Sequence, residues 1–192
     1  MERKILLVGA NILAILLIAA GVLLLSRRES FSGAVIEPPM PLPAISLTDQ
    51  DGATFQSASL RGRIVLIYFG YTNCKEECPI TMAKLHQVLG SLKSGADQIQ
   101  VLMVSTDPSR DTPEAMRAFL APFQPGFLGL TGTPAQLQKV WGDYGVTVLD
   151  DGETHSNLIY VIDRRGNFRL TFHYEMAPDD IASDLRILLR EQ

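Results

Sequence analysis

Cys74 and Cys78 are the only cysteines of the chain, and Lys75, Glu76 and Glu77 stand between them. On a helix, residues i and i+4 share a face with their side chains about 6 Å apart. Such a pair can converge on one metal ion, or close a disulfide if the first helical turn distorts. The thioredoxin-type redox motif has two intervening residues, and this pair has three. The spacing therefore leaves metal binding and thiol–disulfide chemistry both open. Two inert buried thiols are hard to reconcile with Lys-Glu-Glu between them, and a permanent disulfide across so short a loop would add little stability. Backbone amides at a helix N-terminus favour a thiolate. Lys75 acts in the same direction, and Glu76 and Glu77 act against it.

A metal would need further ligands. His86 lies eight residues beyond Cys78 in the same helical pattern, about 12 Å along the axis, and reads as a surface residue. His173 continues the polar parity of its strand and is expected at solvent. His155 follows the loop that starts at Asp150 and precedes the apolar run at Leu158. In a thioredoxin-like sheet the loop entering such a strand abuts the cysteine helix, where redox enzymes carry a cis-proline. Here no proline occurs between Pro134 and Pro178. Spacing alone leaves His155 open between a ligand and an ordinary loop residue. Two thiolates and one imidazole would suit Cu(I), or Cu(II) with an added oxygen ligand. Structural zinc would want a fourth ligand, and none is evident.

The elements around these residues follow from hydrophobic period and turn chemistry. Ile45–Leu47 and Thr54-Phe55 flank Asp51-Gly52 and read as a short hairpin. Ile64–Phe69 and Ile99–Val104 are continuous apolar runs rich in β-formers, expected as strands buried on both faces. The first ends just before the cysteine motif, and helical spacing runs from Pro79 to Leu92. A helix is expected at Pro113–Leu120, capped by Asp111 or Thr112, and another from Pro134 to about Tyr144 behind the capping box Thr133–Gln136. Trp141 is expected in the core. Phe127–Leu130 and Leu158–Ile162 read as strands. Arg165-Gly166-Asn167 turns into a partner strand with Phe168, Leu170 and Phe172 on one face, and Pro178–Arg190 is a final amphipathic helix. Alternating strands and helices indicate an α/β fold with a mixed sheet. Asp107, Arg110 and Asp111 are expected to serve the loop and cap before Pro113, with a role of Asp107 in shaping the site as the alternative.

Ile5–Leu25 carries no charge over 21 residues, long enough as a helix to cross the roughly 30 Å hydrocarbon core. Ser26, Arg27 and Arg28 follow it directly, with no small-x-small cleavage site, so an uncleaved N-terminal anchor is expected, with a cleaved signal peptide as the alternative. The segment from Phe31 to Ala44 holds Pro38, Pro39, Pro41 and Pro43 and reads as an extended linker. Residues 1–30 thus form tail and anchor, 31–44 a proline-rich linker and 45–192 the globular domain. The first 30 residues carry a net +2 and the rest a net −6. An acidic domain without a basic stripe is a poor nucleic-acid binder, and no nucleic-acid partner is expected.

The stretches LTDQDG (Leu47–Gly52), YFGYTNCKEECP (Tyr68–Pro79), STDPSRDTP (Ser105–Pro113) and THSNLIYVIDRRG (Thr154–Gly166) together resemble the Sco (SenC) family of membrane-anchored copper-binding proteins, which assist assembly of cytochrome c oxidase. The resemblance spans nearly the whole soluble domain. It implies a thioredoxin-like fold with peroxiredoxin-like additions behind one transmembrane helix, and copper ligands at Cys74, Cys78 and His155. It implies a metallochaperone rather than an enzyme. Its partner would be the copper-receiving oxidase subunit, and its place the bacterial inner membrane, with the domain facing the periplasm or cell exterior. Lys75 stands where the family commonly has proline, and Thr154 where it commonly has aspartate. Neither change removes a ligand. A thiol–disulfide oxidoreductase, with Cys74 and Cys78 as its redox pair, and a copper or redox sensor are the other functions this site could serve. A peroxidase is disfavoured because no P-x-x-x-T-x-x-C pattern surrounds Cys74.

Overall fold

The structure, a computed structural model, describes residues 30–149 and 154–191. Chain order is β1 (Ala34–Pro41), β2 (Ser46–Asp49), β3 (Thr54–Gln56), β4 (Ile64–Gly70), α1 (Glu77–Leu92), β5 (Ile99–Ser105), α2 (Pro113–Leu120), β6 (Phe127–Thr131), α3 (Pro134–Asp143), β7 (Val148–Leu149), β8 (Thr154–His155), β9 (Leu158–Ile162), β10 (Asn167–His173) and α4 (Pro178–Arg190). Eight strands form one sheet in the order β1-β10-β9-β4-β5-β6-β2-β3, and β7 and β8 form a separate two-stranded ribbon. β4, β5 and β6 run parallel, and every other neighbour in the sheet is antiparallel.

The apolar runs are explained by burial on both faces. Ile64, Leu66 and Tyr68 of β4 point into a core layer shared with α1, α2 and α4. Val65, Ile67 and Phe69 point the other way, against Leu137 and Val140 of α3 and the aromatic side chains of Tyr144, Tyr160 and Phe168. A strand covered on both sides has no polar face to alternate with. β10 alternates in burial, with Phe168, Leu170 and Phe172 buried, Asn167, Arg169 and Thr171 half-covered and His173 exposed. The three apolar side chains do not share one face: across a register shift after Phe168, that ring packs in the Tyr144 and Tyr160 layer, while Leu170 and Phe172 pack in the other. The caps behave as expected. Thr112 accepts a hydrogen bond from the Ala115 amide, and Thr133 and Gln136 form the reciprocal capping box. Trp141 is half-buried rather than enclosed, and its indole N–H donates to the Ser105 carbonyl at 3.0 Å.

The proline-rich segment departs from the expected spacer. β1 is an edge strand, with Ala34 opposite Thr171 and Pro41 opposite Asn167. Proline lacks the N–H that a central strand must donate, but an edge strand can turn that side to solvent. The register shifts between Val35 and Met40, across Pro38 and Pro39. The strand is tied down at its start by Asp184 of α4. This fully buried carboxylate accepts the Ser32 amide at 2.9 and 3.0 Å and the Gly33 amide at 2.8 Å. Gly33 lies so close to Phe172 that a Cβ there would come within 2.7 Å of the ring.

The expected anchor, Ile5–Leu25, lies outside the described residues. Among the described residues no helix is long and apolar enough to cross a membrane. From Phe31 onward the chain is one compact unit.

Asp184→Ala leaves two amides unpaired and removes a charge-assisted contact. It should lower unfolding stability by about 2 kcal/mol, read as a lower urea midpoint, with faster amide exchange at Ser32 and Gly33. An unchanged midpoint would mean that β1 is held by its strand pairing alone.

Candidate functional site

β4, paired with β5 and β9, delivers the chain to the buried Gly70, which lies opposite Ser105 of β5. A Cβ on Gly70 would sit 2.7 Å from the Tyr68 ring and 3.0 Å from Cys78 Sγ, so only glycine lets α1 bring its cysteine this close to the strand. Cys78 is fully buried in the first turn of α1. The Tyr68 hydroxyl, itself in the core, lies 3.7 Å from Cys78 Sγ as a donor. Pro79 adds no cost in this first turn, where its missing N–H would have no intrahelical partner.

Cys74 does not share the helix with Cys78, as the i, i+4 reading supposed. It precedes α1, half-exposed, in the turn after Tyr71. Its sulfur accepts the Cys78 amide at 3.4 Å. It thereby takes the position of a capping side chain, and the N-cap residue itself, Glu76, supplies no side-chain cap. The two thiols are electrostatically unlike. Burial works against ionising Cys74, but the amides of Cys78, Glu76 and Glu77 aimed at its sulfur prevail and hold its pKa below the ordinary thiol value. Burial pushes the Cys78 thiol up to about 12. Both cysteines are free thiols.

The loop carrying Cys74 is fixed from behind by Asp111. This carboxylate is 1 % exposed. It accepts the Thr72 amide at 3.0 Å, the Thr72 hydroxyl at 2.7 Å and the Ser105 hydroxyl at 2.6 Å. Burial raises its pKa despite these donors. The sequence placed Asp111 in the loop and cap before Pro113. Thr112 does the capping, and Asp111 braces the cysteine loop instead. Asp107 turns to its own loop: it accepts the Ser109 hydroxyl at 2.6 Å and pairs with Arg110. Arg110 in turn lies over the Tyr71 ring, 6.0 Å from its centroid.

Of the histidines, His86 is exposed, with Nδ1 against the Phe123 carbonyl at 2.9 Å. His173 is exposed beside Glu175. Neither is brought to the cysteines. The backbone of His155 is in β8, opposite Val148 of β7, and its side chain lies outside the described part of the structure. Its neighbourhood is described. Asn157, two residues on, donates from Nδ2 to Glu77 Oε2 at 2.8 Å, and Glu77 directly precedes Cys78. Asn157 and Glu77 stand in plain sight in the motifs THSN and CKEEC, but sequence reading took the glutamates only as charges opposing a thiolate.

A mixed sheet with a dithiol at its central strand–helix junction defines a thioredoxin-like domain. Residues 42–190 match the SCO1/SenC family model, and the chain belongs to that family. The SCO2-like protein of Rickettsia conorii is 34% identical over 149 residues, 73% of each chain. The structure of ScoI from Bradyrhizobium japonicum with copper bound is 36% identical, with a TM-score of 0.68 over 77% of this chain and 99% of that one. Apo Sco1 from Thermus thermophilus is 28% identical, with a TM-score of 0.75 over 85% of this chain and 99% of that one.

In the reduced, metal-free chain, the lowered pKa of Cys74 means that its thiolate forms at a lower pH than that of an ordinary thiol, while Cys78 stays protonated through neutrality. Iodoacetamide at pH 7 should therefore alkylate Cys74 more than about tenfold faster than Cys78, as followed by peptide mass spectrometry. Equal rates would contradict the asymmetry.

Proposed function

We propose that this chain is a membrane-anchored copper metallochaperone of the Sco family. It holds copper through Cys74, Cys78 and His155 and passes it to the binuclear copper centre of a cytochrome c oxidase subunit. The observation that carries the reading is the sulfur pair at the β4–α1 junction: one half-exposed sulfur that accepts a helix amide, one buried thiol beside it. This donor set fits copper. Sulfur ligands suit Cu(I), which accepts low coordination, and a third ligand from the β8 segment would complete a three-coordinate site. Loading releases the thiol protons as copper–sulfur bonds form. Delivery exchanges these bonds one at a time for bonds to the partner's ligands, with no electron transferred. The half-exposed Cys74 is the sulfur an incoming ligand reaches first. Copper in the ScoI relative and family membership support the same reading.

Ile5–Leu25 serves in this reading as a single-pass anchor in the bacterial inner membrane, with the domain on the periplasmic or outer side. The strands β1, β2 and β3, which flank the five others of the sheet, correspond in this reading to the peroxiredoxin-like additions.

The unlike thiols favour a second reading. An exposed thiolate that attacks a partner disulfide, followed by a buried thiol that resolves the mixed disulfide, would make this a thiol–disulfide reductase. The partner leaves as a dithiol, and Cys74 and Cys78 become the disulfide.

Anaerobic titration of the reduced full chain in detergent with Cu(I), against a competing chelator, separates the two. One tight copper per chain is expected. Cys74→Ala and Cys78→Ala should each weaken it by more than about a hundredfold, and His155→Ala by at least about tenfold. His86→Ala and His173→Ala should leave it unchanged. Absence of tight copper would move the function to disulfide reduction.

A further inference from the structure

The bond between Asn157 and Glu77 joins the only two segments that carry the proposed ligands. On one side, Glu77 is the first residue of α1 and the direct neighbour of Cys78. On the other, Asn157 stands two residues from His155, and two residues span at most about 7 Å of extended chain. Asn157 is held twice. Its side chain donates to Glu77 Oε2 at 2.8 Å, and its backbone carbonyl accepts the Tyr174 amide at 3.1 Å, just past the end of β10. Both partners are half-buried, so water competes with the bond only in part. Asn157 Oδ1 is buried and has no hydrogen-bond partner among the described residues. An amide that leaves its own oxygen unsatisfied is not placed for solvation, and such an orphan costs free energy. What its orientation secures is the charge-assisted bond from Nδ2 to the Glu77 carboxylate.

β7 and β8 have no strand neighbour in the eight-stranded sheet. His155 in β8 is therefore held by no ladder of that sheet, and the side chain of Asn157 is a contact that ties its segment to α1. The geometry points to Asn157 and Glu77 as a positioning latch: their hydrogen bond holds the segment bearing His155 against the first turn of the cysteine helix and so sets how much His155 adds to copper affinity. This rests on the three-ligand reading above. Neither residue is a ligand. Glu77 acts as an acceptor, which a glutamine can replace, and not through its charge on the metal. Outer groups that orient metal ligands commonly change affinity by about ten- to a hundredfold when removed.

Two measurements on the full chain in detergent test the latch. The first is amide hydrogen exchange of the reduced, metal-free protein, read by mass spectrometry. Asn157→Ala should speed exchange over residues 154–158 by about tenfold or more and leave the body of α1 unchanged. Glu77→Gln, which keeps an acceptor oxygen, should retain the protection. The second is competition titration with Cu(I). Asn157→Ala should weaken binding by about tenfold in the otherwise unaltered chain and by nothing further in a His155→Ala background. Unchanged exchange in Asn157→Ala overturns the latch whatever the copper result. Equal affinity losses with and without His155 also overturn it, because the effect would then be general rather than routed through the histidine. Faster exchange in Asn157→Ala together with wild-type copper affinity in His155→Ala upholds the latch as a structural tie and overturns the three-ligand reading, along with the latch's role in affinity.

Discussion

The arrangement around the cysteines depends on one buried carboxylate. Asp111 receives the amide and hydroxyl of Thr72 from the cysteine loop and the hydroxyl of Ser105 from the end of β5. Its own carbonyl accepts the Thr131 hydroxyl at the end of β6. One residue thus joins the ends of β4, β5 and β6 at the edge where the parallel strands stop. A carboxylate so buried is costly unless its oxygens are satisfied, and three donors satisfy them. That brace ties the turn from Tyr71 to Cys74 to the ends of β5 and β6.

Upon this frame the two sulfurs acquire different characters from a displacement of four residues. Cys78 goes under, onto Gly70 and beside the Tyr68 hydroxyl, where desolvation disfavours its anion. Cys74 stays at the mouth, where the first amides of α1 point at it. The helix start therefore serves the outer sulfur and the core serves the inner one. An exchangeable metal site benefits from that division. The buried sulfur retains its geometry while the outer one is open to an incoming ligand. The same division would suit thiol–disulfide exchange, which is why the two readings share one structure.

Much of the fold was legible in periodicity. The runs Ile64–Phe69 and Ile99–Val104 had to be strands covered twice, and Pro113, Pro134 and Pro178 marked three helix starts that the structure places at those residues. β1 was not legible. Four prolines in the segment from Phe31 to Ala44 argue locally for an extended tether, and only a free edge at β10, with Asp184 waiting for the Ser32 and Gly33 amides, converts that extended chain into a strand. The β7–β8 ribbon was also hidden, because two-residue strands leave no period to read.

For the site, residue type and spacing determined that two thiols stand four apart after a buried strand and left metal binding and thiol–disulfide exchange both open, and only the family resemblance implies His155 as their companion. The sequence also located helix starts, since proline and hydroxyl caps act over one turn. Tertiary structure alone decided which sulfur is exposed, that Cys74 caps the helix instead of riding on it, that Asp111 braces the loop from 39 positions beyond Thr72, and that Asn157 meets Glu77 across 80 positions. The physical reason is common to all four. Burial and hydrogen-bond partnership are properties of what the chain folds against, and no local pattern encodes the other half of a contact made across the sheet.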